Sequence, residues 1–197
     1  MTLPLYLRDH QKKVLIFDFD HTLMRLDLPW DMYRQHIKEL LISEDTKLYA
    51  SLPKKISTFE KINIFVRKHG DTFYQKSRQW GLQFETECLK GVELNKDLLK
   101  FIKNHDDTYH YALWSSNRSE TIEPLLEKNG LSDLFSVVMT QDRVRFFKPD
   151  PNGFDSIDRQ MLKDKKDYLM VGDSKNDHDA AMAAGISFFQ IKNFSLN

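Results

Sequence analysis

The amino-acid sequence predicts an α/β fold, with a doubly wound parallel sheet as its core and a helical segment inserted into it. Three observations support this class. Short apolar runs rich in β-forming residues recur along the chain, segments of helical periodicity separate them, and this alternation breaks once, between about residues 28 and 90. Strands that alternate with helices are typical of a parallel sheet with helices on both faces.

Five apolar runs are the candidate strands. The first, Val14–Phe17, is apolar throughout and is bounded by lysines and aspartates, as expected for a strand buried on both faces. The later candidates are Tyr109–Trp114, Val137–Met139, Tyr168–Val171 and Phe188–Ile191. The helices predicted between them are Asn95–His105, Glu120–Asn129 and Asp177–Ala184.

The region that breaks the alternation has helical patterns alone. Three helices are predicted there, at Trp30–Ile42, Ser57–His69 and Asp71–Trp80, and Gly70 and Gly81 follow the last two. Glycine is common just after a helix end. We therefore assign residues 1–27 and 91–197 to the α/β core and residues 28–90, called the insertion below, to an α-helical unit.

Composition excludes several functional classes. Lys plus Arg and Asp plus Glu number 29 each, so no net charge attracts nucleic acid or an anionic membrane. Cys88 is the one cysteine, which rules out an intramolecular disulfide. No segment has the roughly 18 consecutive apolar residues of a membrane-spanning helix. We expect a cytoplasmic protein that binds neither nucleic acid nor membrane.

Two polar clusters follow the first and fourth predicted strands. Asp18 and Asp20 come directly after Val14–Phe17, and Asp173 and Asp177 follow Tyr168–Val171. Because ligands bind beyond the carboxyl ends of parallel strands, these carboxylates suit nucleophilic and acid/base chemistry or a shared Mg²⁺ ion. The alternative is that they are turn residues and helix caps.

Two further clusters contain hydroxyl, amide and ammonium groups. Ser116 and Asn117 follow the second predicted strand, where a hydroxyl and backbone N–H groups at a helix start suit a phosphoryl oxygen. A capping box formed by Asn117 and Glu120 is the simpler interpretation of that cluster taken alone. Lys148 precedes Pro149 and suits a phosphate charge, or else belongs to an ordinary surface turn.

The four clusters, taken in order, resemble the motifs of the haloacid dehalogenase-like hydrolases, and are similar to the branch that includes phosphoglycolate phosphatases. The residues that carry the resemblance are Asp18-Phe19-Asp20-His21-Thr22-Leu23, Ser116-Asn117, Lys148-Pro149 and Gly172-Asp173-Ser174-Lys175-Asn176-Asp177. His21 departs from the family pattern, which commonly has glycine there. The resemblance covers residues 13–24 and 92–190 well and the insertion weakly.

The resemblance implies a Rossmann-like core with an α-helical cap, and a role for each motif residue. Asp18 would attack phosphorus to form an aspartyl-phosphate, and Asp20 would act as acid and then as base. The implied metal site holds Mg²⁺ with Asp18, the backbone carbonyl of Asp20, Asp173 and Asp177. Ser116 and Lys148, with backbone N–H groups near Asn117, would hold the transferring phosphoryl.

The expected activity is therefore Mg²⁺-dependent hydrolysis of a small-molecule phosphorylated substrate, a phosphomonoester. Two alternatives remain open: a phosphomutase of the same family acting on a phosphosugar, and a non-catalytic binding protein on the same scaffold. Arg25 is a candidate for an anionic substrate group, although a salt bridge in the stem is the simpler role, and Trp30 and Phe59 line either a pocket or the core.

Overall fold

The structure, a computed structural model, describes residues 2–192 and residue 194. Residues 1, 193 and 195–197, which belong to the predicted core ranges, lie outside the described residues. The strands in chain order are β1 (Val14–Phe17), β2 (Met24–Leu26), β3 (Val92–Leu94), β4 (His110–Trp114), β5 (Phe135–Met139), β6 (Tyr168–Gly172) and β7 (Ser187–Gln190). The helices are α1 (Leu3–His10), α2 (Trp30–Glu44), α3 (Thr46–Ser51), α4 (Thr58–Cys88), α5 (Lys96–Asn104), α6 (Ser119–Lys128), α7 (Asn152–Met161) and α8 (Lys175–Ala184).

Five of the strands form a parallel sheet in the order β5-β4-β1-β6-β7. All five were predicted, and the predicted α/β class is confirmed. β1 lies at the centre, and its four residues are fully buried. Its side chains alternate between the faces: Val14 and Ile16 pack with residues of α7 and α8, whereas Leu15 and Phe17 pack with residues of α1, α5 and α6.

A short antiparallel hairpin connects the sheet to the insertion. β2 pairs with β3 so that Arg25 lies opposite Glu93, and the residues between the two strands form α2, α3 and α4. The backbone bonds continue past the hairpin, because Asp27 N–H donates to Gly91 O at 2.9 Å. Neither strand was predicted, because three residues are too few to show a period of two.

The helix α4 departs from the prediction at one of two glycines. At Gly70, where one helix was predicted to end and the next to begin, the chain has φ of +68° and α4 kinks. The predicted end at Gly81 is wrong, because the helix continues to Cys88. Gly81 lies inside the helix against the core: a Cβ there would lie 2.8 Å from Gln141 Nε2. The glycine therefore allows close packing and is not a stop signal.

The insertion packs against the sheet domain over a shared apolar interior. Tyr33, Ile37 and Phe65 of the insertion belong to the same buried cluster as Phe17 and Phe147. Surface ion pairs join the two parts as well, including Arg145 Nη1 to Asp71 Oδ1 at 2.6 Å. Within the described residues, no helix combines the length and the apolar character needed to cross a membrane.

Candidate active site

One cavity of about 300 Å³ opens where β1, β4 and β6 end, at the carboxyl edge of the sheet. The structure brings every predicted site residue to this cavity. They come from four loops and from the first turn of α8, which carries Asp177: Asp18, Asp20, Ser116, Asn117, Lys148, Asp173 and Asp177. Such an edge is where open parallel sheets bind ligands, since the loops beyond neighbouring strands meet there.

Lys148 is the centre of the polar network in this cavity. Its ammonium group donates to Asp18 Oδ1 at 2.6 Å, to Asp177 Oδ1 at 2.5 Å and to the carbonyl of Trp114 at 2.8 Å. The residue is 2% exposed. Burial lowers the pKa of Lys148, but the charges of Asp177 and Asp18 outweigh burial and raise it. The lysine is therefore a fixed positive charge beside both carboxylates.

Asp177 is held on two sides. Its Oδ2 accepts from the backbone N–H of Ser174 at 3.0 Å and from the Ser174 hydroxyl at 2.6 Å, in a capping box that begins α8. The backbone of Gly172 allows this close approach, because a Cβ there would lie 2.7 Å from Asp177 Oδ2. Both Asp177 oxygens thus have protein donors, one from the helix cap and one from Lys148.

The remaining carboxylates crowd together. An oxygen from each of Asp18, Asp173 and Asp177 lies within 4.8 Å of the others. Burial, and then the charge of Asp177, raise the pKa of Asp18 well above its usual value, against the opposing effect of Lys148. The same two causes raise the pKa of Asp173 to about 6. A divalent cation with a preference for hard oxygen ligands fits this donor set, because it would stabilise the ionised forms.

Asp20 lies beside the hairpin of β2 and β3, the stem of the insertion. Its Oδ1 accepts from the backbone N–H of Leu26, in β2, at 2.8 Å. Burial raises the pKa of Asp20, although the Leu26 N–H and the nearby His21 oppose the shift. His21 has φ of +59°, in the left-handed region that glycine enters at least cost, which explains structurally why glycine suits this position.

The loop after β4 differs from the predicted capping box. The helix α6 begins at Ser119, with Arg118 at the N-cap and Glu120 bound to the Arg118 guanidinium at 2.8 Å. The box of Asn117 and Glu120 is therefore wrong. Asn117 instead closes a tight turn, in which its backbone N–H donates to Ser115 Oγ at 3.0 Å, and Ser116 is left at the cavity wall.

Three residues of the insertion complete the cavity: Trp30, Arg34 and Phe59. Arg34 was not predicted, although it follows Trp30 by one helical turn, a spacing that places both on one helix face. Arg34 also borders a second cavity of about 470 Å³ that Lys38 and Lys61 line. Arg25, in contrast, forms the stem salt bridge, with Nη1 2.7 Å from Glu93 Oε2.

Comparison with known proteins identifies relatives of this chain. The family model described as haloacid dehalogenase-like hydrolase matches residues 15–191. The pyrophosphatase PpaX of Listeria welshimeri is 26% identical over 86% of this chain and 78% of its own. The phosphoglycolate phosphatase of Aliivibrio fischeri is 38% identical over a shorter region, 49% of this chain and 41% of its own.

A solved structure from Bacteroides fragilis, described as a haloacid dehalogenase-like hydrolase, has the same fold, with a TM-score of 0.60 and 20% identity. The match covers 94% of this chain and 90% of that one. The parallel sheet and the family match define the chain as a hydrolase built on an α/β core. Since the family model spans most of its length, the chain belongs to the haloacid dehalogenase-like hydrolase family.

Proposed function

We propose that the protein is a Mg²⁺-dependent phosphatase that hydrolyses a small phosphomonoester through an aspartyl-phosphate at Asp18. The observation that carries this proposal is the position of Asp18. Its carboxylate lies 2.6 Å from the Lys148 ammonium and within one cluster of carboxylates, in a cavity that Ser116 also lines. The relatives named as phosphatase and pyrophosphatase support phosphoryl chemistry.

The donor set supports a specific division of ligands for Mg²⁺. Both Asp177 oxygens are already bound, to Ser174 and to Lys148, so Asp177 supports the site mainly as the partner of the lysine. Asp18 and Asp173 are then the carboxylates that would hold the ion, with the backbone carbonyl of Asp20 as the implied third ligand. When bound, Mg²⁺ offsets the negative charge of the phosphoryl group and of the carboxylates.

In the first half-reaction, Asp18 attacks phosphorus and the bond from phosphorus to the ester oxygen breaks. Asp20 gives its proton to that oxygen, so the alcohol leaves neutral. The positive charge of Lys148 offsets the charge of the phosphoryl oxygens during this transfer, and the loop at Ser116 holds them. Burial raises the pKa of Asp20, which is the direction that an acid near neutral pH requires.

In the second half-reaction, water attacks the aspartyl-phosphate. Asp20, now ionised, takes the proton of that water, and inorganic phosphate leaves with the Asp18 carboxylate restored. Atoms and charges balance over the cycle: one ester and one water give one alcohol and one phosphate. A mutase would pass the phosphoryl group to a second hydroxyl instead, and its product would be an isomerised sugar phosphate.

Arg34 supports a substrate with a second anionic group. The cavity holds four carboxylates, and Lys148 is bound to two of them. Arg34 is the further cation that the insertion contributes, and its partner Asp31 is almost fully exposed, so this ion pair is easily exchanged for a substrate anion. Pyrophosphate and phosphoglycolate, named for the two relatives, each carry such a second charge.

A phosphatase screen over phosphorylated metabolites with Mg²⁺ tests the proposal, with the Asp18→Asn variant as the blank. We expect release of inorganic phosphate that disappears in the variant and on removal of Mg²⁺ by a chelator. The proposal fails if Asp18→Asn keeps Mg²⁺-dependent phosphatase activity. An isomerised sugar phosphate in place of inorganic phosphate would identify a mutase.

A further inference from the structure

The side chain of Asn63, in α4 of the insertion, binds the backbone of the residue that precedes Lys148. Its Nδ2 donates to the carbonyl of Phe147 at 2.8 Å, and its Oδ1 accepts from the N–H of Phe147 at 2.9 Å. Asn63 is 3% exposed. One amide therefore satisfies both polar backbone groups of Phe147, in a pairing that resembles a single step of a β-ladder.

The segment that carries Lys148 has little regular structure to hold it. Residues 144–148 lie outside the helices and strands. The Phe147 carbonyl also accepts from the N–H of Asp150 at 2.9 Å, which closes the turn that contains Lys148. Buried backbone groups need partners, and here the insertion supplies one for the N–H of Phe147.

The ring of Phe147 is held by the insertion as well. It is 1% exposed, packs against Phe59 with ring centroids 4.6 Å apart, and has the guanidinium of Arg78 at 3.6 Å from its centroid. Phe59, Asn63 and Arg78 all belong to α4. Both the backbone and the side chain of Phe147, the residue before Lys148, therefore depend on the position of this helix.

Lys148 tolerates little displacement. Its Nζ atom has three acceptor oxygens between 2.5 and 2.8 Å away, on Asp18, Asp177 and Trp114, which is as many as an ammonium group has hydrogens. Hydrogen bonds weaken steeply with distance and angle, and a misplacement of about 1 Å at an active site costs large factors in rate. A shift of the Phe147 backbone would move the ammonium group away from at least one acceptor.

We propose that Asn63 is a positioning residue, which fixes the backbone at Phe147 and so holds the Lys148 ammonium between Asp18 and Asp177. The insertion then does more than cover the cavity, because it supports the lysine whose charge stabilises a bound phosphate. The role of Lys148 in phosphate binding rests on the proposed function. The pairing needs an amide, since leucine of similar size neither donates nor accepts, and alanine leaves room for water.

The test is a double-mutant cycle on the affinity for inorganic phosphate, measured by titration calorimetry with Mg²⁺ present. In the otherwise native chain, Asn63→Leu is expected to raise the phosphate Kd about tenfold and to lower kcat more than it raises KM. In a Lys148→Ala background the same substitution is expected to change Kd by less than about twofold, because the lysine through which it acts is gone.

A matched control is Asp71→Ala. It breaks an exposed α4 contact with the same loop, at Arg145, and is expected to leave the phosphate Kd within about twofold of the native value. Asn63→Ala repeats the measurement in case leucine prevents folding, and near-UV circular dichroism verifies the fold of each variant.

Two results would overturn the positioning role: an unchanged phosphate Kd in a folded Asn63 variant, or an equal loss in the native and Lys148→Ala backgrounds. Failure of the proposed function gives a different pattern, in which the native protein itself does not bind phosphate. That pattern would remove the positioning role together with the phosphatase.

Discussion

The Lys148 ammonium lies 2.6 Å from the Asp18 carboxylate, and the two side chains are only 3% and 10% exposed. The same ammonium contacts Asp177, whose side chain is 2% exposed. Removing the lysine would leave two buried carboxylates without their cation. Breaking a buried ion pair from one side costs far more than breaking a pair on the surface.

Lys148→Met is therefore expected to lower the free energy of unfolding by about 3 kcal/mol near neutral pH, measured by urea denaturation without Mg²⁺. The loss should shrink as the pH falls, because burial raises the pKa of Asp18 and its protonation removes an uncompensated buried charge. The matched control is Lys175→Met, which breaks the exposed pair with Asp179 and should change stability little. An equal effect of the two substitutions would contradict the buried pair.

Arg34→Ala is expected to change selectivity for substrate charge. The test compares two phosphomonoesters, one with a terminal carboxylate and one with a methyl group in its place. The kcat/KM of the first divided by that of the second should fall about tenfold in the variant, since the charged substrate loses its cation. A terminal phosphonate tests whether a second phosphate behaves as the carboxylate does. Arg25→Ala is the control, because Arg25 is similarly exposed and paired but does not line the cavity with Asp18. An unchanged ratio would mean that Arg34 does not bind the second anionic group of the substrate.

Glu85 is expected to make stability fall as pH rises through the acid range. Burial raises the pKa of this α4 residue from 4.5 to about 7, although the Arg118 N–H, which donates to Glu85 Oε2 at 3.1 Å, opposes the shift. The folded protein therefore binds the proton more tightly than the unfolded chain does. Below pH 4.5 Glu85 is protonated in both the folded and the unfolded state, and its contribution to stability is fully present. Between pH 4.5 and about 7, Glu85 ionises in the unfolded chain but stays protonated in the folded protein, so the free energy of unfolding falls.

Glu85→Gln removes this titration and keeps an acceptor for Arg118. The free energy of unfolding of the variant, minus that of the native protein, should rise by roughly 3 kcal/mol from the lower to the upper end of that pH window. Denaturation curves at several pH values measure the gain. Glu87→Gln, two residues along and exposed, is the control. If the two variants have the same pH profile, Glu85 is not held neutral by burial.

Gly153→Ala should destabilise the core beneath the cavity. A Cβ at Gly153 would lie 2.1 Å from Nε1 of Trp114, a side chain that is 1% exposed. Overpacking of this kind typically costs about 1–3 kcal/mol, and thermal denaturation followed by tryptophan fluorescence measures it. Gly91→Ala is the control, since a Cβ there meets its nearest neighbour, Asp27, at 4.0 Å. Equal melting temperatures for the two variants would mean that Trp114 moves aside freely.

The sheet was predictable because its strands are fully buried runs of apolar residues, as in Val14–Phe17. The site was predictable as a set, because its residues follow strand ends that a parallel sheet brings to one edge. Gly81 is a case that the local sequence could not predict. It lies within a helix because its missing side chain leaves room for Gln141, which is 60 positions away in the chain. Arg34 and Asn63 were missed for the same reason, since only tertiary packing brings Arg34 to the cavity and Asn63 to the backbone of Phe147.

The hairpin of β2 and β3 has a consequence for how this protein could be modified and how relatives could diverge. The chain leaves the core at Leu26 and returns at Val92, which are paired neighbours, so the whole insertion begins and ends at a single point. A turn of a few residues, or a helical unit from another protein, would join the same two ends without stretching the sheet. Any replacement would lack the Asn63 amide, however, so a successful graft must bring its own support for the loop that ends at Lys148.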